Sequence, residues 1–443
     1  TIDKQSGSTV TVGGPGTNLV LGTSGQSVTL GTGATQSGFG RTGTVNWCTT
    51  AKTSPLTVAS GNGYFINTTG GAVTVTLPSS PSAGDIVAFK DYANTWDTNG
   101  VTVGRGGSKI NGIAACANLD TESQSVTLIY VDGTKGWQDI QDSTSGITGN
   151  AFIAATGGTI TQCGNDKIHT FTSSGTFTVI KAACSAANNA VAYMVVAGGG
   201  YGGTYQFGSA GGAGAGGFRE GTTAPVVPYT ASPLVAPAGI TVTAQGYPIT
   251  VGAGGTNAPA QQGTPSIFSS ITSTGGGRGG NQAHSANSPY AGGPGGSGGG
   301  GNGECGPAGG SGNTPPVSPS QGNNGGTGKG VPGRAGAGGG GAGAVGGNGV
   351  ATQQGGAGGA GVSTEITGAA VTRAGGGGGQ GQGCKAGAGG AGGGGAAGGP
   401  GGTAGNPGTV NTGGGGGAGN SNTGTDGGQG GSGVVIIRYK FQN

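Results

Sequence analysis

Runs of consecutive glycine fill the second half of the chain, and they constrain its fold more than any other feature. They recur from about residue 198 to residue 433, for example at residues 338–341, 375–379 and 413–417. Glycine supplies 118 of the 443 residues, far above the roughly 7% of an average protein. Because glycine weakens both helices and strands, this half needs a different backbone geometry.

Three structures compete for this composition. The 118 glycines and 20 prolines fall within the range of low-complexity, disordered chains. Collagen needs glycine at every third position, and the consecutive glycines break that register. The third structure is a bundle of extended, left-handed threefold glycine helices without internal hydrogen bonds. Apolar strand-like segments bracket the runs, whereas a flexible linker contains glycine and serine alone, and this favours the ordered bundle over disorder.

A bundle of this kind is stabilised through its backbone. The N–H and C=O groups point outward and pair with neighbouring helices, at a close approach that only glycine permits. Ordering each residue costs roughly 1–2 kcal/mol, and glycine loses the most freedom of any residue. We therefore expect the hydrogen bonds between helices to be nearly complete.

Composition argues against several classes of function. Only 7% of the residues are charged and the net charge is +3, too weak and dispersed for binding nucleic acid or a membrane surface. No apolar run approaches the ~20 residues of a membrane-spanning helix. The chain is therefore predicted to be soluble, without nucleic-acid partners or membrane insertion.

Catalytic and metal motifs are equally sparse. Two histidines and fourteen acidic residues over the whole chain support neither a nucleophile–histidine–acid triad nor a carboxylate pair. Lys329 follows glycine but precedes Gly330, where a phosphate-binding loop needs Ser or Thr. The cysteine spacings match no zinc motif. We predict a protein that is not an enzyme and has no cofactor or metal.

The six cysteines fall two to a region, which predicts three local disulfides. The expected pairs are Cys48–Cys116, Cys163–Cys184 and Cys305–Cys384. Six cysteines allow 15 pairings, and a reducing compartment would leave free thiols, so the prediction also implies extracellular exposure.

A nine-residue repeat opens the chain within residues 1–40. Val10, Leu19 and Val28 align in it, and each unit ends in glycine. Short strands closed by glycine turns at fixed spacing are typical of a stacked β-structure such as a fibre shaft, which would serve oligomerisation. Three unrelated strand–turn units are the alternative.

Residues 41–145 have ordinary composition and a hydrophobic period of two, as at residues 73–77 and 125–130. Turn residues bound these segments, so the region is predicted to be a β-sandwich domain. Of its tryptophans, we assign Trp47 and Trp137 to the core.

Residues 146–443 are predicted to form one further domain around the glycine runs. Strands begin at Ile168, and the segment 433–443 closes the domain as its last strand. One face of that strand carries Val435, Ile437, Tyr439 and Phe441, while the other begins apolar and ends with Arg438 and Lys440. We therefore expect burial on both faces at the start of the strand and on one face at its end.

Specific segments resemble a known family. Residues 192–200 and the ending 431–441 are similar to the glycine-rich domain of tail-fibre and adhesin proteins of tailed bacteriophages. Residues 61–67, 82–91 and 167–171 resemble stretches of fibre proteins of marine phages, so the resemblance covers most of residues 40–443. It implies polyglycine-II helices packed in a sandwich, host-recognition loops at the distal edge, and a commonly trimeric fibre. The expected fold class is thus mostly β, with a β-scaffold into which a polyglycine-II bundle is inserted.

Binding by exposed loops is the remaining source of function. Aromatic and amide side chains between the glycine runs are the type that contacts sugars. The candidate receptor-binding residues are Tyr201, Tyr205, Phe207, Asn281, His284, Tyr290 and Asn323. The alternative for each aromatic is that it caps a glycine helix and covers backbone.

The leading hypothesis is a non-enzymatic virion fibre or adhesin that binds a host-surface glycan or protein. Its rival is a self-assembling extracellular filament stabilised by disulfides. A homotrimer or a filament is expected in either case, located on a virion or outside a cell. Ice binding by a flat glycine slab is a third hypothesis, and the chain lacks the regular Thr or Ala row that it requires.

Overall fold

The computed structural model describes residues 45–142, 151–205, 209–257, 261–281, 291–304, 306–383, 385–399, 403–420 and 426–442. The repeat predicted within residues 1–40 lies outside them. The regular elements within the described residues are β-strands, as expected for a mostly β fold, apart from one short 3₁₀-helix at Ala186–Asn189.

The first nine strands belong to residues 46–142. They are β1 (Asn46–Lys52), β2 (Leu56–Thr57), β3 (Asn62–Ile66), β4 (Val73–Thr76), β5 (Ile86–Asp91), β6 (Val101–Gly104), β7 (Ala117–Leu119), β8 (Ser125–Asp132) and β9 (Gly136–Asp142). They form a five-stranded sheet in the order β1-β3-β5-β8-β9 and a four-stranded sheet in the order β2-β4-β6-β7. Both sheets contribute to one apolar core, with Phe89 and Leu128 from the first and Val103 and Leu119 from the second. The two sheets therefore pack as a β-sandwich.

The assignment to the sandwich core is confirmed for Trp137 and wrong for Trp47. Trp137 is fully buried, and so is Trp96, whose indole N–H donates to the carbonyl of Ile66. Trp47 is 40% exposed, so its assignment to the core is wrong. On β1 its neighbour Cys48 lies opposite Tyr64 and packs against the core, and side chains alternate along a strand. Trp47 must therefore lie on the outer face.

The second half of the chain contains sixteen described strands, most of them short. They are β10 (Ala154–Thr156), β11 (Thr159–Cys163), β12 (Asp166–Phe171), β13 (Gly175–Lys181), β14 (Ala190–Val196), β15 (Thr204–Tyr205), β16 (Phe218–Gly221), β17 (Val235–Ala236), β18 (Ile240–Thr241), β19 (Gly246–Thr250), β20 (Ser266–Phe268), β21 (Ile271–Ser273), β22 (Val362–Thr364), β23 (Val371–Arg373), β24 (Gly419–Asn420) and β25 (Val434–Lys440).

Two of the sheets in this half form a scaffold. One has the order β10-β13-β19-β20-β21, and the other has the order β11-β12-β25-β14-β16-β17, with β18 also paired to β14. The last strand, β25, lies between β12 and β14 and pairs antiparallel with both. The C-terminus therefore supplies a central strand of this sheet.

The two faces of β25 contact different layers. Val435, Ile437 and Tyr439 pack with Phe177 and Phe268 of the other scaffold sheet. Val434 and Ile436 pack on the opposite side, in a cluster that includes Ala215, Ala342 and Ala374 of the glycine region. The central sheet is thus covered by a sheet on one face and by glycine-rich backbone on the other.

Burial of β25 extends further than the sequence pattern predicts. Arg438 is only 3% exposed, so the expectation that one face of the strand ends exposed is wrong at this position. Its Nε lies 2.7 Å from Oδ2 of Asp166, which is also buried and accepts a hydrogen bond from the Val227 N–H at 3.1 Å. A paired and hydrogen-bonded charge can be buried where an unpaired one cannot.

The glycine segments are neither α-helices nor β-strands, and their hydrogen bonds recur with a period of three. Residues 211–217 show the pattern most fully. The N–H groups of residues 211, 214 and 217 donate to the carbonyls of 280, 277 and 274, those of 212 and 215 to 337 and 340, and those of 213 and 216 to 416 and 413. A chain that meets a new neighbour at each third of a turn has the period that packed threefold helices require.

The same segment also accepts hydrogen bonds from three further neighbours. Its carbonyls accept from residues within 200–203, 297–300 and at 377, so six segments surround it. A Cβ on Gly214 would lie 2.1 Å from the carbonyl oxygen of Ser297, and one on Gly212 would lie 2.2 Å from that of Gly377. At these glycines a side chain is excluded because the space is filled by backbone, whereas Ala213 and Ala215 in the same segment carry buried methyl groups.

The predicted disulfide pairs Cys48–Cys116 and Cys163–Cys184 are wrong. Cys116 instead bonds to Cys184, with their Cα atoms 5.6 Å apart, while Cys48 and Cys163 are free. Cys48 faces the core of the sandwich and Cys163 packs on the glycine side of the scaffold, so neither side chain points at its expected partner. Cys305 and Cys384 lie outside the described residues. The bond joins the sandwich to the scaffold rather than closing a loop within either.

Candidate functional site

The glycine bundle has one end attached to the scaffold and one end free of it. At the attached end, β14 runs directly into Gly198, Gly217 runs into β16, and Gly433 runs into β25. Away from the scaffold, a chain of hydrogen bonds of 2.8–3.0 Å links five glycines that approach the ends of their segments. These are Gly203, Gly211, Gly280, Gly300 and Gly419, which we call the distal layer.

Polar side chains tie the segments together just beyond the distal layer. The side-chain oxygen of Asn281 accepts hydrogen bonds from the backbone N–H and the hydroxyl of Thr204, the latter at 2.9 Å. Thr204 and Tyr205 form β15, which pairs parallel with Gly419–Asn420 of β24. Residues more than 200 positions apart in sequence therefore meet at this end of the bundle.

A charged pair lies in the same part of the molecule. Gly303 donates a backbone hydrogen bond to Ser209, at the start of the segment that enters the distal layer. Next to it, Glu304 and Arg334 form an ion pair at 3.4 Å, and both are partly exposed. The distal end thus presents amide, hydroxyl and charged groups on a framework of backbone hydrogen bonds.

The predicted receptor-binding residues divide between the two ends. Asn281 is half-buried at the distal end, and Tyr205 lies beside it in β15. Phe207, His284, Tyr290 and the side chain of Tyr205 lie outside the described part. Asn323 lies nearer the scaffold, where its amide donates to the carbonyls of Gly341 and Ala342 at 3.0 and 2.9 Å. The structure therefore brings Tyr205 and Asn281 together and places Asn323 apart from them.

Tyr201 is enclosed by the bundle and is only 2% exposed. Burial raises the pKa of its hydroxyl to about 12. Such a side chain cannot contact a receptor, which corrects its place among the candidates. It matches the alternative reading, in which an aromatic residue covers the backbone of a glycine helix.

Sequence reasoning missed an exposed aromatic row on the sandwich. The Trp47 and Phe65 ring centroids lie 5.0 Å apart, and Phe65 meets the edge of Tyr92 at 6.5 Å. A Cβ on Gly63 would lie 2.7 Å from the indole of Trp47, so the missing side chain makes room for this ring. The alternation of Tyr64 and Phe65 on β3 was the available signal, because one faces the core and the other must face outward.

The buried ionisable groups of the scaffold have structural partners. Glu220 accepts hydrogen bonds from the hydroxyls of Tyr229 and Thr364 and from the N–H of Ser232. His169 lies between the Gly157 carbonyl and the Tyr439 hydroxyl, and burial lowers its pKa. Across the described ranges, no group of three or more His, Cys, Asp and Glu side chains is placed to hold a metal ion.

None of the helices within the described residues is long and apolar enough to cross a bilayer. A search of curated proteins found no match. A family model for a glycine-rich domain matches residues 171–440, from the end of β12 to the last residue of β25. This interval contains the bundle and the strands that close it, and the chain belongs to that glycine-rich domain family.

Proposed function

We propose that this protein is a non-enzymatic adhesin of the virion-fibre type, which binds a host-surface glycan or protein through the distal end of its glycine bundle. The observation that carries the proposal is the distal layer itself. Five segments end together there, and their polar groups converge from positions far apart in sequence.

The physical argument is one of preorganisation. A loop that orders on binding loses conformational entropy, and each immobilised side chain costs roughly 0.5–1.5 kcal/mol. In the bundle, every backbone N–H of residues 198–203 and 211–217 is already paired with a neighbouring segment. Loops held by such a frame lose less entropy when they meet a receptor, so a modest set of contacts suffices.

The chemistry of the distal end fits a polar receptor. Asn281 supplies an amide, Thr204 a hydroxyl, and Glu304 and Arg334 opposite charges. Groups of this kind pair with sugar hydroxyls or with polar protein surfaces. A glycan or a glycoprotein on a cell surface is therefore the proposed receptor class.

Binding of the full-length protein to an array of bacterial surface polysaccharides tests the proposal, with an Asn281→Ala variant beside the natural chain. We expect the natural protein to bind a subset of the array and the variant to lose about tenfold in affinity, because the Thr204 contact that positions this end is removed.

Asn323→Ala is the matched control, since it is the same substitution and also removes two hydrogen bonds to the bundle. It should lower stability to a similar extent and leave binding intact. Equal loss of binding in both variants, or no binding to any polysaccharide or intact cell, contradicts the proposal.

A self-assembling extracellular filament is the second candidate, and the Cys116–Cys184 bond favours it, because disulfides persist in oxidising environments. Electron microscopy of native material separates the two functions. A discrete fibre on a virus particle supports the adhesin, and an open-ended helical polymer supports the filament.

A further inference from the structure

A cleft lies along the seam between the sandwich and the scaffold, away from the distal end of the bundle. Its volume is about 640 Å³, within the roughly 300–1,000 Å³ typical of small-molecule sites, which also tend to lie between domains. Lys109 and Ile113 line it from the sandwich, and Phe152, Lys167 and Phe441 line it from the scaffold.

A second hollow of about 470 Å³ adjoins the cleft and shares Phe152 with it. Arg105 and Lys440 line this hollow, and so does the Cys116–Cys184 disulfide. The covalent bond between the two units therefore forms part of the wall, and it limits how far the seam can open.

Positive charge is concentrated at this seam although the chain as a whole is nearly neutral. Arg105, Lys109, Lys167 and Lys440 surround the two hollows, whereas the described residues that line them include no aspartate or glutamate. Within the described part of the chain, none of the three lysines forms an ion pair. Cations grouped in a cleft raise the local concentration of anions.

Apolar surface lies directly beside these charges. The Lys167 ammonium sits 5.0 Å from the centre of the Phe441 ring, and that of Lys440 sits 5.4 Å from the centre of the Phe152 ring. Ile113 and Ile153 extend the apolar lining. A ligand that satisfies this cleft carries an anionic group together with a less polar face, which an inorganic ion does not.

We infer that the seam cleft binds an acidic sugar, with its carboxylate or sulfate on Lys109 and Lys167 and its C–H face on Phe441. The lysine ammonium is a compact, hydrated point charge that can donate hydrogen bonds to a carboxylate or to a sulfate. The planar guanidinium of arginine instead favours ligands that it can bind with two parallel hydrogen bonds. Arg105 already donates to the backbone of Gly107 and Ser108, so the lysines are the groups left to bind. This site is separate from the distal end and does not depend on the proposed function.

Isothermal titration calorimetry of the full-length protein tests the inference, with a sulfated uronate disaccharide as the probe and lactose as the neutral comparison. The acidic disaccharide should bind, lactose should not, and the affinity should fall as salt rises, because exposed charges are screened. Lys109→Gln and Lys167→Gln should each weaken binding about tenfold, as expected for loss of a charged hydrogen bond.

Lys329→Gln is the control, since it removes the same charge from an exposed position on the glycine bundle and should change the affinity less than twofold. Thermal melting of each variant verifies that it folds. Equal binding of lactose and the acidic disaccharide, no binding of either, or an unchanged affinity in both lysine variants overturns the inference. Tighter binding of adenosine monophosphate than of the disaccharide also overturns it, because the ligand is then a nucleotide.

Discussion

The sandwich and the glycine bundle are stabilised by opposite means within one chain. In the sandwich, large side chains from two sheets fill the core, and several glycines lie in open space, such as Gly70 and Gly133. In the bundle, backbone fills the interior, and a Cβ added to Gly212 or Gly214 would lie about 2 Å from a carbonyl oxygen. The sandwich is filled by large side chains, whereas the glycine positions of the bundle leave room only for backbone.

The difference shows where each region is sensitive to substitution. A sandwich core tolerates exchange among apolar residues of similar volume, because burial of apolar area is non-directional. The bundle depends on directional backbone hydrogen bonds, which every N–H of residues 211–217 makes, so its tolerance to substitution is set by the space around each Cα. Its apolar stabilisation comes from the scaffold, where β25 packs on both faces.

Removal of residues 433–443 is the strongest test of this dependence. The region from Ile168 onward should unfold, because the central scaffold strand and its two apolar clusters disappear, while the sandwich keeps its own core. Val435, Ile436, Ile437 and Tyr439 are fully buried, and four such residues contribute roughly 6–12 kcal/mol, as much as the net stability of a domain. Limited proteolysis with mass spectrometry reads out both regions. A glycine region that resists protease as well as the full-length protein does would show that the bundle is held by its own packing.

Asp166→Ala should cost about 3–5 kcal/mol of unfolding free energy, because it leaves the buried Arg438 guanidinium without its partner. Denaturant melts of the glycine region measure the loss. Asp120→Ala is the control, since its contact with Lys181 is 4.0 Å long and about half exposed, and its loss should cost less than about 1 kcal/mol. Similar costs for the two variants would contradict the importance of the buried pair.

Gly214→Ala should destabilise the bundle by about 3 kcal/mol, since the added methyl group has only backbone to displace. Gly399→Ala is the matched control, because the nearest atom to its Cβ would be the Thr403 hydroxyl at 3.8 Å. Hydrogen exchange of the glycine amides gives a second readout. The natural chain should show strong protection through residues 211–217, and fast exchange there would contradict the ordered bundle.

Acidification should weaken the scaffold through His169. Burial lowers its pKa below the unfolded value of about 6.5, so below that pH the unfolded chain takes up a proton that the folded chain does not. Stability is therefore complete above pH ~6.5 and falls as the pH drops, by at most about 1.4 kcal/mol per pH unit. His169→Gln should flatten this slope in melts between pH 7 and pH 5. If the stability of His169→Gln still falls with decreasing pH to the same extent, other titratable groups cause the pH dependence.

Trp47→Ala should change the stability of the sandwich by less than about 1 kcal/mol, since the ring lies on the outer face and is 40% exposed. Trp137→Ala, at a fully buried position, should cost about 3–5 kcal/mol. Urea melts followed by far-ultraviolet circular dichroism compare them. A large loss in the first variant would mean that the aromatic row is part of the core.

The sequence by itself determined the features that depend on residue type and period. Glycine runs favour packing mediated by backbone, and the hydrogen bonds of residues 211–217 have the expected period of three. Alternating apolar residues marked the sandwich, and the apolar face of residues 435–441 marked a closing strand. These patterns are local, because backbone sterics and side-chain alternation act between near neighbours in sequence.

Tertiary structure decided everything that depends on which surfaces meet. Cys116 bonds to Cys184 because the sandwich packs on the scaffold there, and no spacing in the sequence encodes that contact. Arg438 is buried because Asp166 on the neighbouring strand pairs with its guanidinium, and Trp47 is exposed because no layer within the described residues covers its face of the sheet. The convergence of Thr204, Asn281 and Asn420 at the distal end has the same origin. Pairings between residues far apart in sequence follow from the free energy of the whole packed molecule, which local patterns do not contain.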